Sequence, residues 1–76
     1  MENQLTLSAF LKSKRKSVKL TQERLAERSG VGLRFIRDIE QGKTNLRLDK
    51  INQVLDLFGH TMAPVPTKSL IENDKS

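Results

Sequence analysis

The sequence predicts an all-α fold, a compact domain of four to five short helices finished by a short extended segment. Three observations lead there. Apolar residues recur three and four apart in successive windows, glycines at 30, 42 and 59 punctuate those windows, and residues 60–66, HTMAPVP, carry two prolines that cannot continue a helix.

The first helix is expected over about residues 6 to 17, where Leu7, Phe10 and Leu11, followed by Val18, recur near helical spacing while Lys12, Lys14, Arg15, Lys16 and Lys19 fill the other positions. Thr21 is a good N-cap, and Glu23 places a carboxylate at the positive end of a helix dipole, so a second helix should run from Gln22 to about Ser29. Gly30 ends it, because a left-handed terminal residue costs glycine little. A third helix is expected from Gly32 to Glu40 with Ile36 and Ile39 inward, Val31 plugging the turn before it and Gly42 stopping it. The fourth runs from about Leu48 to Phe58, with Leu48, Ile51, Val54, Leu55 and Phe58 on one stripe and Gly59 closing it. The prolines confine His60–Pro66 to an extended or edge strand. Residues 67–76 are polar apart from Leu70 and Ile71 and read as a tail, which leaves one domain at 1–66.

A chain of 76 residues buries only about three-fifths of its unfolded surface, so marginal stability is expected and dimerisation would help it. Without cysteine, no disulfide or thiolate metal site can staple the core, and the chain suits a reducing cytoplasm without depending on it. Met1-Glu2-Asn3-Gln4 lacks a basic region, and no apolar run approaches the roughly 18 residues of a membrane span. A soluble cytoplasmic protein is therefore expected. Fourteen Lys and Arg against nine Asp and Glu leave a formal charge of +5, a field that attracts polyanions or simply keeps a small domain in solution. The placement of the charge has to decide between the two.

The informative stretch is TQERLAERSGVGLRFIRDIEQGKT, residues 21–44: a capped helix, a glycine turn and a second helix. Ala26 is small where two helices approach, and Leu25, Val31, Ile36 and Ile39 pin the second helix across the first. This is the spacing of a helix-turn-helix, which presents one helix as a rigid probe for a DNA major groove about 12 Å wide. Catalysis has no candidate. His60 is the single histidine, without a second ligand for a metal or a Ser or Cys partner, no Gly-rich phosphate loop is present, and nothing calls for a cofactor.

From about Leu7 to Phe58 the chain resembles the XRE family, the lambdoid repressor and Cro type of helix-turn-helix. The resemblance is carried by Thr21-Gln22, Leu25-Ala26, Gly30-Val31, Ile36, Ile39-Glu40 and Gly42-Lys43, without insertion. It implies a lambda-repressor-like fold with its helix-turn-helix unit at about 21–41. Beyond that unit, IRDIEQGKTNLRLDKINQVLDLFG and then HTMAPVP resemble the HipB-like subgroup, antitoxins that repress their own operon and bind a HipA-type kinase toxin.

The resemblance also implies roles for single residues. Gln22 matches a phosphate-contacting position at a helix N-terminus, where free N–H groups and the dipole favour anions; a purely capping use is the alternative. Gly32, Leu33, Arg34, Arg37 and Asp38 lie at or near the positions from which the recognition helix meets DNA. Arg34 and Arg37 are the expected base readers, since a guanidinium can bond guanine O6 and N7 together, although either could grip phosphate. Leu33 is placed with them, and Asp38 could accept from cytosine N4, orient a neighbouring arginine, or stay solvated. Phe35 is expected to pack against the first helix rather than reach a thymine methyl. Gly32, Lys43 and Thr44 fit backbone contacts, with an ordinary polar loop as the alternative for the last two. Arg15 and Glu40 match a structural salt bridge tying the first helix to the end of the recognition helix.

A two-fold dimer would set two such helices about 34 to 36 Å apart on a palindrome. Its surface is expected from residues 54–66, with Leu57, Phe58, Met62 and Val65 as apolar residues left over from the core, and His60–Val65 placed to pair as a strand with its symmetry mate. The expected function is an autoregulating repressor and antitoxin with double-stranded DNA, a second copy and a HipA-like kinase as partners. Alternatives are a stand-alone phage- or plasmid-type regulator and a protein-binding module that has lost DNA binding.

Overall fold

A computed structural model describes residues 6–66. The tail expected at 67–76 and the first five residues lie outside the described part. Four helices follow in order: α1 (Leu7–Ser17), α2 (Gln22–Ser29), α3 (Leu33–Glu40) and α4 (Leu48–Asp56). Among the described residues there is no fifth helix and no strand, and residues 60–66 are irregular.

Local chemistry explains the helix ends. Thr6 and Thr21 are extended N-caps whose hydroxyls accept from Ala9 and Arg24 N–H at 3.1 Å each, satisfying donors that a first turn leaves orphaned. Gly30 adopts φ +79°, and the N–H groups of Gly30 and Val31 both donate to the Ala26 carbonyl. A Cβ added at Gly30 would lie 3.0 Å from Gln53 Nε2, an atom already donating to the Ser29 carbonyl at 2.8 Å. Gly30→Ala is therefore expected to lower stability by about 1–2 kcal/mol, read as a lower denaturation midpoint with an unchanged slope. An unchanged midpoint would contradict the account of this turn.

The core is built where the four helices meet. Leu11 of α1, Leu25 and Ala26 of α2, Val31 in the turn, Ile36 and Ile39 of α3, and Ile51, Val54 and Leu55 of α4 are buried. Leu7, Phe10, Leu20, Leu33, Phe35, Leu46 and Phe58 close its rim. Helix α3 packs against both α1 and α2, and α4 packs against α2, so α3 is held from two sides.

Several expectations need correction. Val18 and Leu48 were placed on apolar stripes and are both more than half exposed. Val18 caps the end of α1 as the chain turns away, and Leu48 sits in the first turn of α4, where no element covers it. Gly32 precedes the third helix as its N-cap; at the other end Gln41 is the C-cap and Gly42, at φ +85°, stops the helix as expected. The fourth helix ends at Asp56, two residues short of Phe58. Phe58, expected at the dimer surface, is partly buried: the turn through Gly59 (φ +71°), with His60 N–H on the Leu55 carbonyl at 3.0 Å, packs part of its side chain against the core. Leu57, Met62 and Val65 are exposed, as a free apolar surface requires. The chain after α4 is tethered by Asn52, whose side-chain oxygen accepts from Met62 N–H at 2.7 Å and from the Thr61 hydroxyl at 3.1 Å.

Candidate nucleic-acid interface

Helix α3 divides by position. Ile36 and Ile39 face the core, and Leu33 and Phe35 are half-buried against it, while Arg34, Arg37 and Gln41 are exposed. Residues three and four apart share a side of a helix, so Arg34, Arg37, Asp38 and Gln41 form one outward row. Leu33, expected among the base readers, is half-buried and packs partly against the core. Gln41 was not singled out by sequence reasoning, yet its spacing of four from Arg37 was available, and its amide suits the adenine edge.

Within this row Asp38 sits between two cations. Its Oδ1 lies 3.7 Å from Arg34 Nε and 3.4 Å from Lys43 Nζ. Lys43 reaches back because Gly42 takes φ +85° and Lys43 N–H donates to the Asp38 carbonyl at 3.1 Å. Gly32, Lys43 and Thr44 are exposed at the two ends of the helix. Their N-terminal counterpart is the start of α2, where the first N–H groups have no acceptor inside the helix and Glu23 is the acid of the first turn.

A polar knot under the row holds α3 to α1 and α2. Glu40 is buried, its side chain 3% exposed, and faces Arg15, 13% exposed. Arg15 Nε donates to Glu40 Oε2 at 2.7 Å and Nη2 to Oε1 at 3.0 Å, while Nη1 donates to the Leu20 carbonyl at 2.8 Å. Gln22 Nε2 also donates to Oε1 at 3.0 Å, and the Ser8 hydroxyl donates to the Glu40 carbonyl at 2.7 Å. Gln22, expected at phosphate, thus has its amide turned to Glu40. Its backbone N–H remains at the helix start.

Burial pushes the Glu40 carboxyl upward, but hydrogen bonds from Arg15 and Gln22, with the charges of Arg15 and Lys12, outweigh it and hold the group below its ordinary value. The hydrogen bond to Glu40 in turn raises Arg15, against desolvation. A carboxyl depressed in the folded state contributes stability that is present above its unfolded value of about 4.3 and is lost as pH falls through the folded value. The unfolding midpoint is therefore expected to drop as pH is lowered below about 4, and Glu40→Gln should flatten that part of the acid limb. An identical acid limb in the variant would contradict it.

The lysines of α1 and of the turn after it are less committed. Lys12, Lys16 and Lys19 are exposed, and Lys14 Nζ lies 5.7 Å from the centroid of the Phe10 ring. His60 packs its ring edge-on to the same phenyl at 4.8 Å. No helix among the described residues is long and apolar enough to cross a membrane.

Two short helices joined by a glycine turn, the second seated on the core and carrying an exposed charged row, define a helix-turn-helix protein. A helix-turn-helix family model matches residues 11–63, and the chain belongs to that XRE-type family. It is also similar to a curated protein of Sinorhizobium fredii (strain NBRC 101917 / NGR234) described as the uncharacterized HTH-type transcriptional regulator y4mF. The two are 43% identical over 53 residues, 70% of each chain.

Proposed function

We propose that this chain is a sequence-specific, double-stranded-DNA-binding transcriptional repressor, acting as a homodimer on a palindromic operator. The observation that carries the reading is the division of α3: Ile36 and Ile39 anchor it while Arg34 and Arg37 stand in solvent, the arrangement a helix needs to enter a major groove. Family membership and the regulator-like relative support the same class. Arg34 and Arg37 read bases. The N-terminus of α2, Gly32, Lys43 and Thr44 meet phosphates.

The finer reading is an autoregulating antitoxin of a HipBA-like operon, with a HipA-like kinase toxin as second partner. It is supported by the resemblance of residues 36–66 to that subgroup and by the exposed Leu57, Met62 and Val65, which also offer the surface for a second copy. Footprinting on the DNA upstream of the protein's own reading frame tests the repressor. A protected palindrome whose binding weakens steeply with salt is expected, and no protection at low salt would refute it. Co-purification with the product of an adjacent kinase-like reading frame tests the antitoxin. The absence of such a frame would leave a stand-alone regulator.

A further inference from the structure

We infer that Asp38 is a specificity-determining positioning residue, which holds Arg34 and Lys43 for the correct site and turns the same surface against arbitrary phosphate. The inference rests on the DNA-binding reading above. One carboxylate oxygen lies 3.4 Å from Lys43 Nζ and 3.7 Å from Arg34 Nε. Its side chain is 20% exposed, against 84% for Arg34 and 52% for Lys43, so the acid sits low, between two cations that project past it. The carboxylate oxygen approaches Arg34 on its Nε side at 3.7 Å, an ion-pair distance longer than a hydrogen bond, and leaves both terminal nitrogens of the fork to guanine O6 and N7. An arginine with no neighbouring acid gives up its rotamer freedom only on binding, whereas one biased toward a carboxylate gives up part of it beforehand.

The same negative charge acts in the opposite sense on unspecific DNA. A duplex that offers only phosphates must draw Arg34 and Lys43 away from Asp38 and bring its own charge toward the carboxylate. A matching site repays Arg34 at the base edge without breaking the hold. The ratio of specific to unspecific binding therefore depends on Asp38, although the residue is not itself required to touch a base.

The test compares the wild type with Asp38→Asn, which keeps the shape and removes the charge. The probes are a duplex selected by the wild type from a randomised library and a scrambled duplex of the same composition. For Asp38→Asn, affinity for the scrambled duplex is expected to rise and the specificity ratio to fall about tenfold or more, the worth of one well-held base contact. In an Arg34→Ala background, most of the fall in the specificity ratio caused by Asp38→Asn is expected to vanish, which a merely structural role would not produce. Asp38→Glu is expected to restore part of the ratio.

A ratio unchanged in Asp38→Asn overturns the inference and leaves the DNA reading standing. So does a retained ratio with a new preferred base at one position, which would make Asp38 a base reader. A wild type that binds neither duplex at low salt overturns the DNA reading, and this inference with it.

Discussion

Glu40→Ala is expected to cost about 3–5 kcal/mol of folding stability, the usual result of removing one partner from a buried ion pair. The variant would leave the Arg15 guanidinium, 13% exposed, with the Leu20 carbonyl as its remaining acceptor in the knot. It would also release the Gln22 amide. A core of this size rarely supplies more than about 3–5 kcal/mol, so the variant should be largely unfolded at room temperature. Chemical denaturation of the wild type and far-ultraviolet circular dichroism of the variant check this. Arg15→Met combined with Glu40→Leu should recover most of the loss, because an apolar pair replaces the ions without stranding a charge. If the single variant unfolded within about 1 kcal/mol of wild type, the pair would be behaving as a surface bridge.

The second large effect falls on binding rather than folding. Replacing Arg34 and Arg37 together by alanine is expected to cost about 2–6 kcal/mol of operator affinity at fixed salt, since a good bidentate base contact is worth about 1–3 kcal/mol. The thermal midpoint should hardly move, because both side chains stand in solvent and exposed substitutions typically stay within about 0.5 kcal/mol. Fluorescence anisotropy on operator and scrambled duplexes separates two roles. A loss confined to the operator marks the arginines as base readers, and an equal loss on both would mark them as phosphate grips.

The two predictions meet at α3. Its outer row can carry specificity only if its inner side is immobile, and that immobility comes from Ile36 and Ile39 in the core together with the Glu40 knot beneath. Stability and recognition should therefore separate cleanly. Substitutions at Glu40 or Arg15 are expected to act through folding, and those at Arg34, Arg37 and Asp38 on the proposed DNA binding.

Much of the outer row was legible beforehand. The spacing of Arg34 and Arg37 opposite Ile36 and Ile39 needs only the helical period, and threonine caps and glycine ends are chemistry of a few neighbouring residues. What failed was the direction of side chains where the chain leaves a helix. Val18 and Leu48 keep the period but stay about half exposed, and Phe58 is drawn partly inward by a turn whose angle periodicity does not contain.

The linear order of residues was enough to determine the four helices to within a residue or two, the Thr21 cap, the turn at Gly30 and the charged side of α3, because each depends on interactions within about one helical turn. The tertiary structure decided that Gln22 serves Glu40, that Lys43 returns to Asp38, and that Gln53 and Asn52 tie α4 to the end of α2 and to the chain beyond it. Several of these contacts join residues that are distant in sequence, and even the return of Lys43 depends on a turn. Their geometry exists only once the core has set one helix against another.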